Sequence, residues 1–174
     1  MTASFASRAT LFAFLDAQDI AHSTHHHAPI FTVDDGAAIK AELPGGHSKN
    51  LFLKDKAGAL FLICALGSTA IRLGRLHKVI GCKRLSFARE DILLSTLGVA
   101  PGSVSLFTLI NDKERAVTLI IDTALAAHDI VNFHPLLNDA TTAISSRDML
   151  RFANALGYEP ILIDFNCLET ASRV

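Results

Sequence analysis

No stretch of this 174-residue chain holds the roughly eighteen consecutive apolar residues that a membrane-spanning helix needs, although 50% of its residues are hydrophobic. Its N-terminus lacks a basic segment leading into an unbroken apolar core, so no secretory leader is expected and a cytoplasmic protein is. Cysteine is scarce. Cys64, Cys82 and Cys167 are an odd set with no CxxC spacing, which excludes a disulfide framework or a cysteine zinc cluster and fits a reducing compartment. Cys64 sits in the apolar run Leu60-Phe61-Leu62-Ile63 and reads as a small core residue. Ordinary hydrolase signatures are missing too: there is no GxSxG, no HExxH, no phosphate-cradling glycine loop, and no cysteine in a nucleophile context. Between Asp55 and Glu90 there is no acidic residue at all.

That last gap is filled by Lys56, Arg72, Arg75, Lys78, Lys83, Arg84 and Arg89. The net charge is only −1, so the whole protein is no polyanion sponge; a local basic face can nevertheless meet a few phosphates. The alternative is a solvated helix face balanced by acids elsewhere in space.

The chain is long enough for one domain with a sizeable core, 1–174, and too short for two ordinary ones. Apolar spacing predicts an amphipathic helix over Ser7–Gln18, a short strand near Ile20–Thr24, and a helix ending at Glu42 before Leu43-Pro44-Gly45-Gly46. Thr32 and Asp35 resemble a capping box for that second helix. A strand through Leu51–Leu53, the turn Asp55–Gly58 and a strand over Leu60–Leu66 form a hairpin. A helix capped by Ser68 or Thr69 runs to Gly81, and another spans Arg89–Leu97. Strands follow at Val117–Ile121, Ile130–Phe133 and Ala140–Ile144, then a helix capped by Ser145 or Ser146 and a strand at Ile161–Ile163. Helices interleaved with tightly turned strands predict an α/β fold of the α+β kind: a single mixed, largely antiparallel, curved sheet with surrounding helices.

His22, His25, His26 and His27 invite a metal reading. With no acid or cysteine at ligand spacing beside them, and successive strand residues pointing to opposite faces, no metal site is expected. The stretch Gly45–Lys54, GGHSKNLFLK, is more informative. Two glycines free the backbone, and Lys49 and Asn50 then sit at the mouth of a strand. A solvated charge and a turn residue are the plain alternative.

Three stretches together, GGHSKNLFLKDK (45–56), GVAPGSVSLFTLIND (98–112) and NFHPLLNDATTAIS (132–145), resemble the YbaK/ProX family of aminoacyl-tRNA editing domains, and within it the free-standing ProX/PrdX branch. The resemblance covers nearly all of residues 20–165. It implies hydrolysis of mischarged aminoacyl-tRNA, alanyl-tRNA of the proline isoacceptor first, with seryl- or cysteinyl-tRNA and a non-catalytic tRNA-end binding module as alternatives. It also implies the tRNA acceptor end and prolyl-tRNA synthetase as partners, and no cofactor. Matched position by position, it makes Lys49, Asn50 and His134 the catalytic candidates, and Pro101, Gly102, Ser103 and Leu106 the substrate-binding ones. Leu106 departs from the pattern PGSVTPF, where proline is usual; proline would fix φ and remove a donor. The missing hydrolase machinery is compatible with this chemistry, because the ester is already activated and mainly needs placement and charge stabilisation. Lys49 suits a phosphate, a ribose or an oxyanion, Gly102 admits close backbone approach, and His134 can act through its ring or its carbonyl. Arg72, Arg75, Lys78, Lys83 and Arg84 are the residues expected to meet tRNA. A small amino-acid pocket is expected, with Phe31, Val33, Ile39, Leu53 and Leu106 as candidate walls.

Overall fold

The fold is built around one ten-residue strand that other strands flank on both sides. It is seen in a computed structural model that describes residues 4–31 and 33–170. In chain order the elements are α1 (Arg8–Ala17), β1 (Ser23–His26), α2 (Val33–Glu42), β2 (Gly46–Asp55), β3 (Leu60–Leu66), α3 (Leu73–Ile80), β4 (Leu85–Phe87) and α4 (Glu90–Leu97). A 3₁₀ helix (Leu106–Asn111), β5 (Val117–Asp122), α5 (Thr123–Ala126), β6 (Ile130–Phe133), β7 (Ala140–Ser145), α6 (Ser146–Ala155), β8 (Ile161–Ile163) and α7 (Phe165–Thr170) complete it. The sheet runs β1-β7-β6-β2-β3-β5-β8, with β4 joined to β2. β1–β7, β6–β7, β2–β3 and β2–β4 are antiparallel; β2–β6, β3–β5 and β5–β8 are parallel.

Apolar residues alternate along β2 and β3 and divide between two cores, one on each face of the sheet. Phe52, Leu62 and Cys64 join the larger core with α1, α4, the 3₁₀ helix and α6. Leu53, Phe61 and Ile63 join the smaller one with Leu76 of α3 and Phe165 of α7. Each fully buried leucine or phenylalanine contributes about 1.5–3 kcal/mol.

Ser7 caps α1 by accepting from the Thr10 amide. Several local expectations hold: Ser145 caps α6 through the Asp148 amide, and Gly81 and Gly98 end α3 and α4 in the left-handed region. Others differ. β1 starts at Ser23, because its register is set by pairing His26 with Ala140 and Ser23 with Ala143. α3 starts at Leu73, and Thr69 does not cap it; the Thr69 hydroxyl donates to the buried Asp122 carboxylate at 2.6 Å. Thr32 lies outside the described residues.

The two strands beside β2 leave part of one edge open. β6 pairs only with Gly46 and His47, and β4 only with Leu53–Asp55. The bonds Gly67 N–H to His47 carbonyl and Asp55 N–H to Ala59 carbonyl show that odd-numbered residues of β2 bond to β3. The main-chain groups of Ser48, Asn50 and Phe52 therefore point to the other edge. The Phe52 carbonyl there accepts from the Ala88 amide, while the Asn50 peptide groups face the gap between β6 and β4.

Candidate active site

The glycines before β2 serve close approach rather than flexibility. At Gly45 (φ +98°) a Cβ would stand 2.5 Å from the Ile130 carbonyl oxygen, and at Gly46 one would stand 2.8 Å from His128 Cδ2. They let β2 lie against β6, and Asn132 then secures the junction by donating Nδ2 to the carbonyls of Pro44 (3.0 Å) and Gly46 (3.3 Å).

From that junction the pleat sends His47 and Lys49 to one face and Ser48 and Asn50 to the other. Lys49 and Asn50 are adjacent in sequence, but their side chains do not converge. The Lys49 ammonium donates to the Thr69 carbonyl. The turn that presents this carbonyl is held by Asp122, which accepts from Thr69 Oγ1 and from the Leu66 (3.1 Å) and Ala124 (3.0 Å) amides. Asn50 donates Nδ2 to Ser48 Oγ (3.1 Å), and Ser48 donates onward to the Asn132 carbonyl (2.8 Å).

Two small cavities flank the open stretch of β2. The first, ≈ 130 Å³, lies between α2 and the strands, with Ile39, Lys40, His47, Asn132, His134 and Thr141 on its wall. The second, ≈ 170 Å³, is bounded by Asn50, Phe87, Glu90, Pro101, Gly102 and Val104. Three loops tie the two together. Ser105 Oγ donates to the His134 carbonyl (2.7 Å). Asn138 and Ile30 exchange bonds at 2.8 and 3.1 Å. A Cβ on Gly102 (φ +91°) would stand 3.9 Å from Asn138 Nδ2.

His134 is the chemically most pointed group. Its Nδ1 lies 2.9 Å from the Ala140 carbonyl, which can only accept, so the neutral ring carries its proton on Nδ1 and leaves Nε2 bare. Burial pushes its pKa below the ordinary histidine value, helped by the positive groups of His27 and Lys40 and opposed by the Ala140 carbonyl and Asp139. Its own carbonyl already accepts from Ser105 Oγ and the Leu136 amide.

The remaining candidates are placed as follows. Pro101 and Gly102 line the second cavity, and Ser103 is buried behind them with its amide on the Ala100 carbonyl. Leu106 is fully buried in the larger core and lines neither cavity. Of the expected pocket walls, Ile39 lines the first cavity. Leu53 packs in the smaller core and Phe31 is 82% exposed, so neither is a wall; the side chain of Val33 lies outside the described residues. Arg72, Arg75, Lys78, Lys83 and Arg84 are all exposed, on α3 and the segments either side of it. Those residues lie on the sheet face of Leu53, which by parity is also the face of Lys49.

Residues without a strong signal in the sequence complete the site. Lys40 approaches the same turn as Lys49, its Nζ 3.8 Å from where a Cβ on Gly67 would be. His27 lies over His134, ring centroids 6.2 Å apart, and bonds Thr141. The clue for Asn132 was its place two residues before His134 within NFHP, and for Thr141 its place in the threonine-rich strand. Nothing in the sequence marked Lys40 apart from other helix-surface lysines.

The model of the aminoacyl-tRNA editing domain matches residues 27–152. Among curated proteins, the prolyl-tRNA synthetase associated domain-containing protein 1 of Danio rerio is 35% identical over 161 residues, 91% of this chain and 88% of that one. The prolyl-tRNA editing protein ProX of Acetoanaerobium sticklandii is 33% identical over 152 residues, 87% of this chain and 93% of that one. Crystal structures of a hypothetical protein and of a candidate trans-editing enzyme for prolyl-tRNA synthetase share the fold. Their TM-scores are 0.70 and 0.66 at 19% and 18% identity, covering 91% and 92% of this chain and 98% of each of those.

Proposed function

The chain belongs to the aminoacyl-tRNA editing domain family, as a deacylase of the prolyl-tRNA editing kind, and we propose that its substrate is alanyl-tRNA of the proline isoacceptor. The observation that carries the reading is the His134 ring: half-buried, its pKa held below the ordinary histidine value, its Nδ1 on the Ala140 carbonyl, and on the wall of a cavity of ≈ 130 Å³. At ≈ 130 Å³ the first cavity has room for an alanyl group. Exclusion by a rigid wall discriminates better than the ~1–3 kcal/mol that one methylene supplies by attraction.

In the proposed reaction, water between His134 Nε2 and the ester carbonyl carbon gives its proton to Nε2 as its oxygen bonds to that carbon. Charge gathers on the carbonyl oxygen, and the Asn50 main-chain N–H facing the gap is suited to receive it. The bond to the terminal ribose oxygen then breaks, and the proton on His134 passes to that oxygen. The products are the free amino acid and a tRNA with its terminal hydroxyl restored. Lys40 and Lys49, both at the Gly67–Thr69 turn, suit the phosphates of the acceptor end. The exposed Arg72, Arg75, Lys78, Lys83 and Arg84 are proposed to meet the stem. Prolyl-tRNA synthetase is proposed as a partner.

The test replaces the base and the cation separately. His134→Gln is expected to lower kcat with little change in KM, and Lys49→Ala to raise KM for alanyl-tRNA. Tight tRNA binding without turnover by the unaltered protein would replace the deacylase with a binding module.

A further inference from the structure

The loop between β6 and β7, residues 134–139, serves both sides of the gap. His134 lines the first cavity, and Asn138 lies beside Gly102 of the second. The backbone of this loop is not relaxed. Leu136, a bulky residue that is 5% exposed, sits at φ +71° with its amide on the His134 carbonyl. Such a turn keeps its shape only where outside groups over-determine it. Neighbouring segments supply some of that hold. The His27 amide donates to the Asp139 carbonyl (3.0 Å), the Ile30 amide to the Asn138 carbonyl, and Ser105 Oγ to the His134 carbonyl.

Another hold comes from α1, which precedes the residues matched by the editing-domain model. Arg8 opens that helix. Its Nε donates to the Pro135 carbonyl at 3.1 Å and its Nη2 to the Asp139 carboxylate, so one planar guanidinium spans the loop from residue 135 to residue 139. The base of this fork is rigid. Leu11 and Leu15 of α1 are fully buried in the larger core, and the Ala6 amide donates to Asn111 Oδ1 at 2.8 Å. The ion pair itself is partly exposed, 20% at the Arg8 side chain and 42% at that of Asp139, so it adds little to stability. What it fixes is the geometry of the loop.

We infer that Arg8 is a positioning residue for deacylation, holding the 134–139 loop so that His134 stays on the wall of the first cavity and Asn138 stays beside Gly102. The inference rests on the deacylase reading and makes α1 part of that site's working structure. Charge matters here as well as reach. The Arg8 hydrogen bond holds the Asp139 carboxyl below its usual range, with burial opposing it and His26 adding to it. Burial is the main influence keeping the His134 ring neutral, with His27 and Lys40 acting in the same direction; the Ala140 carbonyl and Asp139 favour the protonated ring. Arg8 offsets the pull of Asp139. Loss of Arg8 therefore favours the charged ring, and loss of the Asp139 charge favours the neutral one.

The experiment follows hydrolysis of alanyl-tRNA of the proline isoacceptor from about pH 5 to 8. Arg8→Gln is expected to lower kcat by about 10-fold or more, because a misplacement of ~1 Å can cost ~10²-fold. KM should stay nearly unchanged, and the acidic limb of the pH profile should move to higher pH. Arg8→Lys keeps the charge but offers a point donor that cannot span the loop; it is expected to lose kcat as Arg8→Gln does, with the limb unmoved. Asp139→Asn is expected to move the limb to lower pH. All three variants should melt within about 2–4 °C of the unaltered protein, as a partly exposed ion pair allows. Full kcat in Arg8→Gln, recovery of kcat by Arg8→Lys, or limb shifts of one sign in Arg8→Gln and Asp139→Asn would overturn the positioning role and leave the deacylase intact. A fall in the Tm of Arg8→Gln well beyond that range would also overturn it, making Arg8 a structural anchor of α1. No turnover by the unaltered protein would overturn the deacylase reading and this inference with it.

Discussion

Replacing Gly45 by alanine tests how the site is anchored, and Gly58 supplies its control. Both glycines have φ +98°, so alanine at either meets the same left-handed backbone cost. A Cβ at Gly58 meets nothing within 4 Å, whereas at Gly45 it would lie 2.5 Å from the Ile130 carbonyl oxygen and 2.9 Å from Ile130 Cβ. The left-handed cost is about 1–2 kcal/mol, partly offset by the lower entropy of the unfolded chain, which leaves Gly58→Ala near ~1 kcal/mol. The clash at Gly45 is with main chain on a paired strand and cannot be relieved by a rotamer, which adds about 1–3 kcal/mol. A chain of this length loses about 2–4 °C of Tm per kcal/mol. Gly58→Ala should therefore melt about 2–4 °C below the unaltered protein and Gly45→Ala about 4–16 °C below. Thermal unfolding followed by circular dichroism reads both. Because the strain falls on the β2–β6 junction that holds His47 and Asn132, Gly45→Ala should also lose deacylation at 25 °C beyond its unfolded fraction. Equal melting of the two variants would refute the close-approach argument and return Gly45 to the role of a flexible turn.

Three further outcomes are expected. His134→Gln should lower kcat/KM by about 10²–10⁴-fold with Tm nearly unchanged, as removal of a general base does; a loss under tenfold would make the ring structural. The pH profile should follow from the depressed pKa of His134: activity requires the neutral ring, so kcat/KM should be flat near neutrality and fall on acidification with a midpoint below about 6.5, whereas a midpoint above that value contradicts the assignment. The same sign governs stability, since below about 6.5 the unfolded chain takes up the proton more readily than the half-buried ring, and the associated stability is lost as pH falls toward the folded-state value. Arg75→Glu with Lys78→Glu should weaken tRNA binding and flatten its salt dependence by about 0.7–0.9 in log–log slope for each phosphate no longer neutralised; an unchanged slope would place the tRNA elsewhere.

Elements with a local signal were legible in the sequence. The helices ending at Glu42, Gly81 and Gly98, the β2–β3 hairpin and the Ser145 cap all follow from periodicity and from residues that act within a turn of themselves. The three stretches that carry the family resemblance do meet across the gap in the sheet. What was not legible depends on partners distant in sequence. Thr69 reads as a helix cap until Asp122, 53 residues away, takes its hydroxyl. Lys49 and Asn50 read as a pair until strand pairing sends them to opposite faces. Leu106 reads as a pocket wall by its place beside Gly102, yet the 3₁₀ helix buries it in the larger core. His27 sits in a run of histidines with no spacing signal, and only the β1–β7 sheet brings its ring to Thr141 and His134.

The most direct test of the central claim is deacylation of alanyl-, seryl-, cysteinyl- and prolyl-tRNA of the proline isoacceptor by the unaltered protein, measured in parallel. The account predicts rapid loss of the alanyl ester with the prolyl ester spared. Hydrolysis of prolyl-tRNA as fast as of alanyl-tRNA would contradict it.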